Sequence, residues 1–355
     1  MYSSWPLYVK LFNLMQTLCD YFKTRSLEYL DLAPGITVPA HFGDWEGEYW
    51  AVRRYSGLFD FSFMYTIEVE GKNVIDVLEG FQCRILRTQA INSILYSFIL
   101  DAHGRTELDI TIWRLDHNRF WLIAGRPIKD QFTQFVNQYN VDIEITEKTS
   151  QYNILAVQGP QSKQTLINIL GCQECALPNF FVFNDVPFFN TSIRIARLGY
   201  TGELGYELFV PKEIAKSLWL KLLSTNKDIR ECGFVAANSL RIEAGFLLFA
   251  NELQQPRLLS EIGYERFSKE VKPPLERLVG LSFLNMQPHF DSELTTDLKD
   301  SVLLTSRCYS PRMQCDIGLG FFDYSILKSG KKKALTRELG PVEIISLPFY
   351  RNDKP

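Results

Sequence analysis

Arg197-Leu-Gly-Tyr-Thr-Gly-Glu-Leu-Gly-Tyr-Glu207 runs without a break into the apolar stretch Leu208-Phe-Val-Pro211. Gly199, Gly202 and Gly205 permit positive φ and close backbone approach, so the segment reads as a tight loop between two strands. A loop of this kind aims an aromatic face and a carboxylate together, a combination suited to a flat, nitrogen-rich ligand.

Outward from the loop, strands are expected around Val186 to Arg197 and at Leu208 to Val210, with helical spacing over Glu213 to Leu223 and Cys232 to Phe249. An earlier block has the same outline. Tyr65 to Glu70 alternates as a strand, Val74 to Gly80 is helical, and Ser93 to Asp101 and Asp109 to Leu115 are strands joined by the turn Asp101-Ala-His-Gly-Arg105. Phe120 to Ala124 reads as a buried strand, Ile128 to Tyr139 as a helix, and Tyr152 to Gln158 as a strand. Gly159-Pro-Gln-Ser-Lys163 then opens another helix. Leu30 to Glu46 looks like extended connection, followed by a short helix from Tyr49 to Tyr55. Beyond Pro273 short strands alternate with turns from Leu278 to Ile345, the pattern of a small all-β domain. The expected division is 1–39 as an amphipathic helical extension and linker, 40–275 as the main region, and 276–355 as the small all-β domain.

At 355 residues the chain exceeds one ordinary core. Its 46% hydrophobic and 22% charged residues are those of a globular protein, and a net charge of −3 provides no footprint for nucleic acid. Lys331-Lys-Lys333 is expected to be a solvated hairpin turn. Seven irregularly spaced cysteines argue for a reducing, cytoplasmic setting, and Cys172-Gln-Glu-Cys175 is a lone pair without a second ligand set. His41, His103, His117 and His289 lack metal-ligand spacing, so no metal is expected. Leu7, Leu11, Leu14, Met15, Leu18 and Phe22 recur with helical period, and no segment is long enough to span a membrane.

Several blocks in order resemble the aminomethyltransferase family, whose namesake is the T-protein of the glycine cleavage system. They are Arg53 to Met64, Tyr96 to Ile112, Val157-Gln-Gly-Pro160, Gly199 to Glu207, Ser239-Leu-Arg-Ile-Glu-Ala-Gly245, and Ser310-Pro311 with Gly318-Leu-Gly320. The resemblance implies an α+β fold of three domains, two of them interleaved along the chain and the third a small C-terminal β-barrel, around a central folate cleft. It also implies a tetrahydrofolate-dependent transferase of an aminomethyl or methyl unit. The alternative is a non-catalytic folate-binding protein, a sensor or iron–sulfur-maintenance-like adaptor.

By the same resemblance Glu207 is the pterin-reading glutamate and Asp109 the catalytic aspartate, while Tyr200, Tyr96 and Arg241 are cofactor-binding residues. The implied cofactor is tetrahydrofolate or its 5,10-methylene or 5-methyl form. The implied partner is a small one-carbon donor, with a lipoylated carrier protein as one candidate. The chain departs from the T-protein pattern at Ala237, where an arginine is expected, at Asn238 for aspartate, and at Phe63 for histidine. Gly104-Arg105 replaces a Gly-Gly pair, and Leu108 replaces the acid beside Asp109.

Overall fold

The computed structural model describes residues 17–171, 177–225, 227–268, 272–283, 301–337 and 339–351. The expectations for residues 1–16, for Cys172 and Cys175, and for His289 lie outside these. The described chain falls into two compact units. One comprises residues 17–74, Thr88–Leu95 and Thr111–Ala236, and the other Ile75–Arg87, Tyr96–Ile110 and residues 237–351.

A six-stranded sheet organises the first unit, in the order Phe183–Phe188, Thr191–Ala196, Gly205–Pro211, Tyr152–Gln158, Ser56–Asp60 and Ile229–Glu231. All neighbours are antiparallel except the last pair, where Ile229 lies parallel to Ser56. Alternation along the strands decides what each face meets. Ile193, Ile195, Tyr206, Leu208, Val210, Leu155, Val157 and Leu58 turn to one side, where they form a single core with Leu166 and Ile169 of helix Ser162–Leu170 and Leu218, Trp219 and Leu222 of helix Lys212–Thr225. Leu18 and Phe22 of the short helix Leu18–Lys23 join that core, and Thr17 closes a capping box with Asp20 at the helix start. Glu207 and Phe209 belong to the opposite face.

The same unit holds Tyr65–Glu70, antiparallel to both Arg119–Ala124 and Glu144–Glu147. Two short strands, Tyr29–Ala33 and Ile36–Pro39, occupy the region read as extended connection. Pro34-Gly35 turns the chain between them, with Gly35 at φ 79°, so they pair as a hairpin. The helix expected from Tyr49 begins earlier, at Trp45, because Asp44 accepts from the Gly47 N–H (2.9 Å) and caps it.

In the second unit the turn after Ile94–Leu100 leads into the strand Arg105–Asp116. Asp101 closes it by accepting from the backbone N–H groups of His103 and Arg105, both at 2.8 Å, while Gly104 takes φ 76°. Strands Glu276–Ser282, Cys315–Asp323, Ser301–Ser310, Lys333–Thr336 and Gly340–Ile345 form a closed barrel in that order around the ring. Val279, Leu281, Val302, Phe322, Ala334, Val342 and Ile344 make up a core there. The basic run does not form a hairpin turn. Asp323 caps a helix at Tyr324–Lys328, Lys331 and Lys332 lie on the connection from that helix, and Lys333 opens the next strand.

Candidate functional site

The glycine-rich loop is a hairpin connection from Thr191–Ala196 to Gly205–Pro211, with Ala196 paired to Glu207. Its three glycines act differently. Gly202 supplies positive φ, at 73°. Gly199 and Gly205 instead make room for the fully buried side chain of Gln158: a Cβ on either would lie 2.0 or 2.2 Å from Gln158 Oε1. Gln158 Oε1 accepts from Thr201 Oγ1 (2.9 Å), and its Nε2 donates to the Leu198 carbonyl (3.3 Å). One amide thus ties the first half of the loop, at Leu198 and Thr201, to the neighbouring strand.

The loop and the strand that follows it each carry a glutamate, in opposite circumstances. Glu203 is buried and paired with Arg53 of helix Trp45–Arg54 (2.8 Å, each side chain 2% exposed), and Arg53 also donates to the Thr201 carbonyl (3.2 Å). Removing one partner strands the other charge in the interior, so Arg53→Ala is expected to cost about 3–5 kcal/mol. Urea unfolding measures this; a loss below about 1 kcal/mol would mean that water still reaches the pair.

Glu207 is half-buried, and among the described residues no group donates to its carboxylate. Burial alone pushes its pKa up to about 8. Ala156 and Ala196 flank it on the adjacent strands, so no bulky side chain crowds it from either side. Two residues on, Phe209 packs edge-on against Trp113 (4.9 Å) and tilted against Trp121 (5.5 Å). Tyr200 sits half-buried in the loop itself.

The second unit brings Tyr96 and Asp109 together. Asp109 lies on Arg105–Asp116 between the buried Leu108 and Ile110, and Tyr96 Oη donates to its Oδ2 (3.0 Å). Burial is the main cause raising the Asp109 pKa to about 6, the Tyr96 hydrogen bond works against it, and the charge of Glu252 adds to it. Tyr264, which no motif marks in the sequence, packs against Tyr96 with ring centroids 5.6 Å apart. Gln158 belongs to the Val157-Gln-Gly-Pro160 motif, but only its pairing with Gly205 in the folded sheet reveals its task.

Arg241, a cofactor-binding residue by the resemblance, is engaged by groups of the chain itself. The side chain is fully buried. Its Nε donates to Asn238 Oδ1 (2.9 Å), Nη1 to the Phe246 carbonyl (3.1 Å) and Glu252 Oε2 (2.9 Å), and Nη2 to Ser306 Oγ (2.7 Å). Four of its five N–H donors are consumed inside the chain, so its role is to tie the helix Phe234–Glu243 to the barrel strand Ser301–Ser310.

The profile of the GCVT N-terminal domain family matches residues 19–272, well over half of the chain. The chain belongs to this family. Among similar proteins, the aminomethyltransferase of Thermoanaerobacter pseudethanolicus is 28% identical over 364 aligned positions, covering 96% of this chain and 99% of that protein. The aminomethyltransferase of Bacillus subtilis is 25% identical, covering 94% and 98%. The crystal structure of glycine cleavage system aminomethyltransferase T from Bartonella henselae superposes with a TM-score of 0.78 at 23% identity, over 94% of this chain and 97% of that one, and so shares its fold.

Within this GCVT-family chain the departures have local structural accounts. Phe63 packs edge-on between Phe61 (6.1 Å) and Phe234 (6.3 Å), so that position is apolar here. Asn238 retains the acceptor needed by Arg241 without carrying a charge. Ala237 is fully buried and offers no polar group.

Proposed function

We propose that this GCVT-family chain is a tetrahydrofolate-dependent aminomethyltransferase. Family membership over residues 19–272 and relatives named aminomethyltransferases along nearly their whole length support the reaction class. The observation that carries the reading is Glu207, a carboxylate at the start of a strand to which no described residue donates, while Glu203 on the preceding loop is paired. A pterin edge presents an amino group and a ring N–H side by side, and one carboxylate accepts both in a charge-assisted pair. A carboxylate at this place therefore fits a reduced folate, and the half-buried Tyr200 lies on the same hairpin.

When bound, tetrahydrofolate supplies the nitrogen nucleophile that accepts the one-carbon unit. Asp109 supplies a negative charge, held in place by Tyr96, against which positive charge on the transferred carbon is stabilised. With a pKa of about 6 it also holds or releases a proton close to neutral pH. The donor in this reading is an aminomethyl group on a lipoylated carrier. The free thiols of Cys19, Cys83, Cys232, Cys308 and Cys315 fit a reducing, cytoplasmic setting.

Ammonia release in a single-turnover mixture tests the proposal. It should require both tetrahydrofolate and an aminomethyl-loaded lipoyl carrier. Release without folate, or none with both present, contradicts it.

A further inference from the structure

Two arginines of the second unit share one aromatic ring, and among the described residues no carboxylate pairs with either. The Arg84 guanidinium stacks 4.0 Å from the Phe267 centroid, and that of Arg266 lies 5.1 Å from it. Arg84 gives one donor, Nη1, to the Tyr96 carbonyl (3.0 Å), while Arg266 is exposed on the helical turn Glu265–Phe267. Burial first, and the charge of Arg266 after it, press the Arg84 pKa below its ordinary value, with Cys83 opposing. Two like charges gathered at one ring favour an anion, and a guanidinium offers a carboxylate a fork of two donors.

The same ring is joined to Asp109 and borders open space. Phe267 packs tilted against Tyr264 (5.3 Å), Tyr264 against Tyr96 (5.6 Å), and Tyr96 Oη donates to Asp109 Oδ2 (3.0 Å). Tyr96 thus meets Arg84 at its backbone and Asp109 at the far end of its side chain. Phe267 also lines a cleft of about 490 Å³ with Ser268 and a third cation, Lys272, whose Nζ donates to the His103 carbonyl (3.2 Å). The acids lining that cleft are engaged within the chain. Glu79 accepts from the N–H groups of Leu86 (2.7 Å) and Arg87 (3.0 Å), Asp101 closes its own turn, and Glu265 pairs with Arg277 (3.4 Å).

We propose that Arg84 and Arg266 take the carboxylates of the glutamate tail of a reduced folate. The inference rests on the folate reading above, in which Asp109 serves the transferred carbon. In a folate one p-aminobenzoyl ring separates the reacting nitrogens from the glutamate. The Tyr96 side chain likewise puts one ring between the Arg84 contact and Asp109, so the spacing of charges on the protein matches that on the ligand. The contiguous rings of Phe267, Tyr264 and Tyr96 offer the linker an aromatic wall.

Equilibrium binding of two ligands to the full chain tests it: tetrahydrofolate, and tetrahydrofolate with its tail carboxyls converted to amides. The amide keeps every pterin and ring contact and loses only the negative charge, so it should bind the parent at least about tenfold more weakly. Arg84→Gln and Arg266→Gln should each weaken tetrahydrofolate by about tenfold and the amide by less than about twofold. Arg266→Lys, which keeps the charge without the fork, should lose less than Arg266→Gln. Arg266 is exposed, so its variants decide the matter even if losing the Arg84 bond to Tyr96 disturbs folding. A parent that binds acid and amide equally, or an Arg266→Gln that weakens both alike or neither, overturns the assignment and leaves the folate reading standing. A parent that binds neither ligand sinks the folate reading and this inference with it.

Discussion

Glu207→Gln is expected to weaken tetrahydrofolate binding by roughly 30-fold or more while making the unliganded protein more stable at alkaline pH. Both effects have one cause. Among the described residues no group donates to the half-buried carboxylate, and burial raises its pKa from 4.5 to about 8. A carboxylic acid whose folded pKa exceeds its unfolded value holds a proton that the unfolded chain has already released. Its stabilising contribution is complete below about pH 4.5 and is lost as pH rises through about 8. Glutamine has nothing to ionise, so the stability gap between variant and parent should be absent near pH 4 and widen to on the order of 2 kcal/mol above pH 8 once partial exposure is discounted. Urea midpoints at pH 5, 7 and 9 measure it. A gap that stays constant across this range would mean that Glu207 ionises like a surface acid. A gap that widens with pH would mean that stability is given up locally for a ligand that supplies the missing donors.

Asp109→Asn should lower turnover by about two to four orders of magnitude and leave tetrahydrofolate affinity within about threefold of the parent. Asparagine preserves the shape and still accepts from Tyr96, so what disappears is the charge and the titration. The parent rate should therefore show an acid limb near pH 6, and any residual activity of the variant should lack it. Single-turnover rates from pH 5 to 8, set beside equilibrium binding, separate the two. Equal losses in binding and rate would assign Asp109 to folate recognition instead of charge stabilisation.

The architecture was legible where local chemistry is decisive. Strand alternation, the turn at Asp101–Arg105 and the glycine-punctuated hairpin are written in adjacent residues, and the C-terminal barrel in its short strands and turns. Pro34-Gly35 was equally local, yet its flanks are only four to five residues long and carry little apolar pattern, so the small hairpin read as connection. The site was legible in part. That one of the two loop acids is consumed by Arg53 depends on a partner 150 positions away. The crowding of Gly199 and Gly205 depends on Gln158 folding in beside them. Arg241 is the clearest limit: an arginine amid apolar helical residues must be either paired or ligand-facing, and its pairing is decided by Glu252 and Ser306, which only the tertiary fold delivers.

Calorimetric titration of tetrahydrofolate at pH 7, repeated in buffers of different ionisation enthalpy, bears most directly on the central claim that Glu207 anchors a reduced pterin. At that pH the free carboxyl is largely protonated, and it must ionise to accept two donors. Binding to the parent should release close to one proton, whereas Glu207→Gln should bind far more weakly and release correspondingly fewer. Parent-like affinity and proton release in Glu207→Gln would contradict the account.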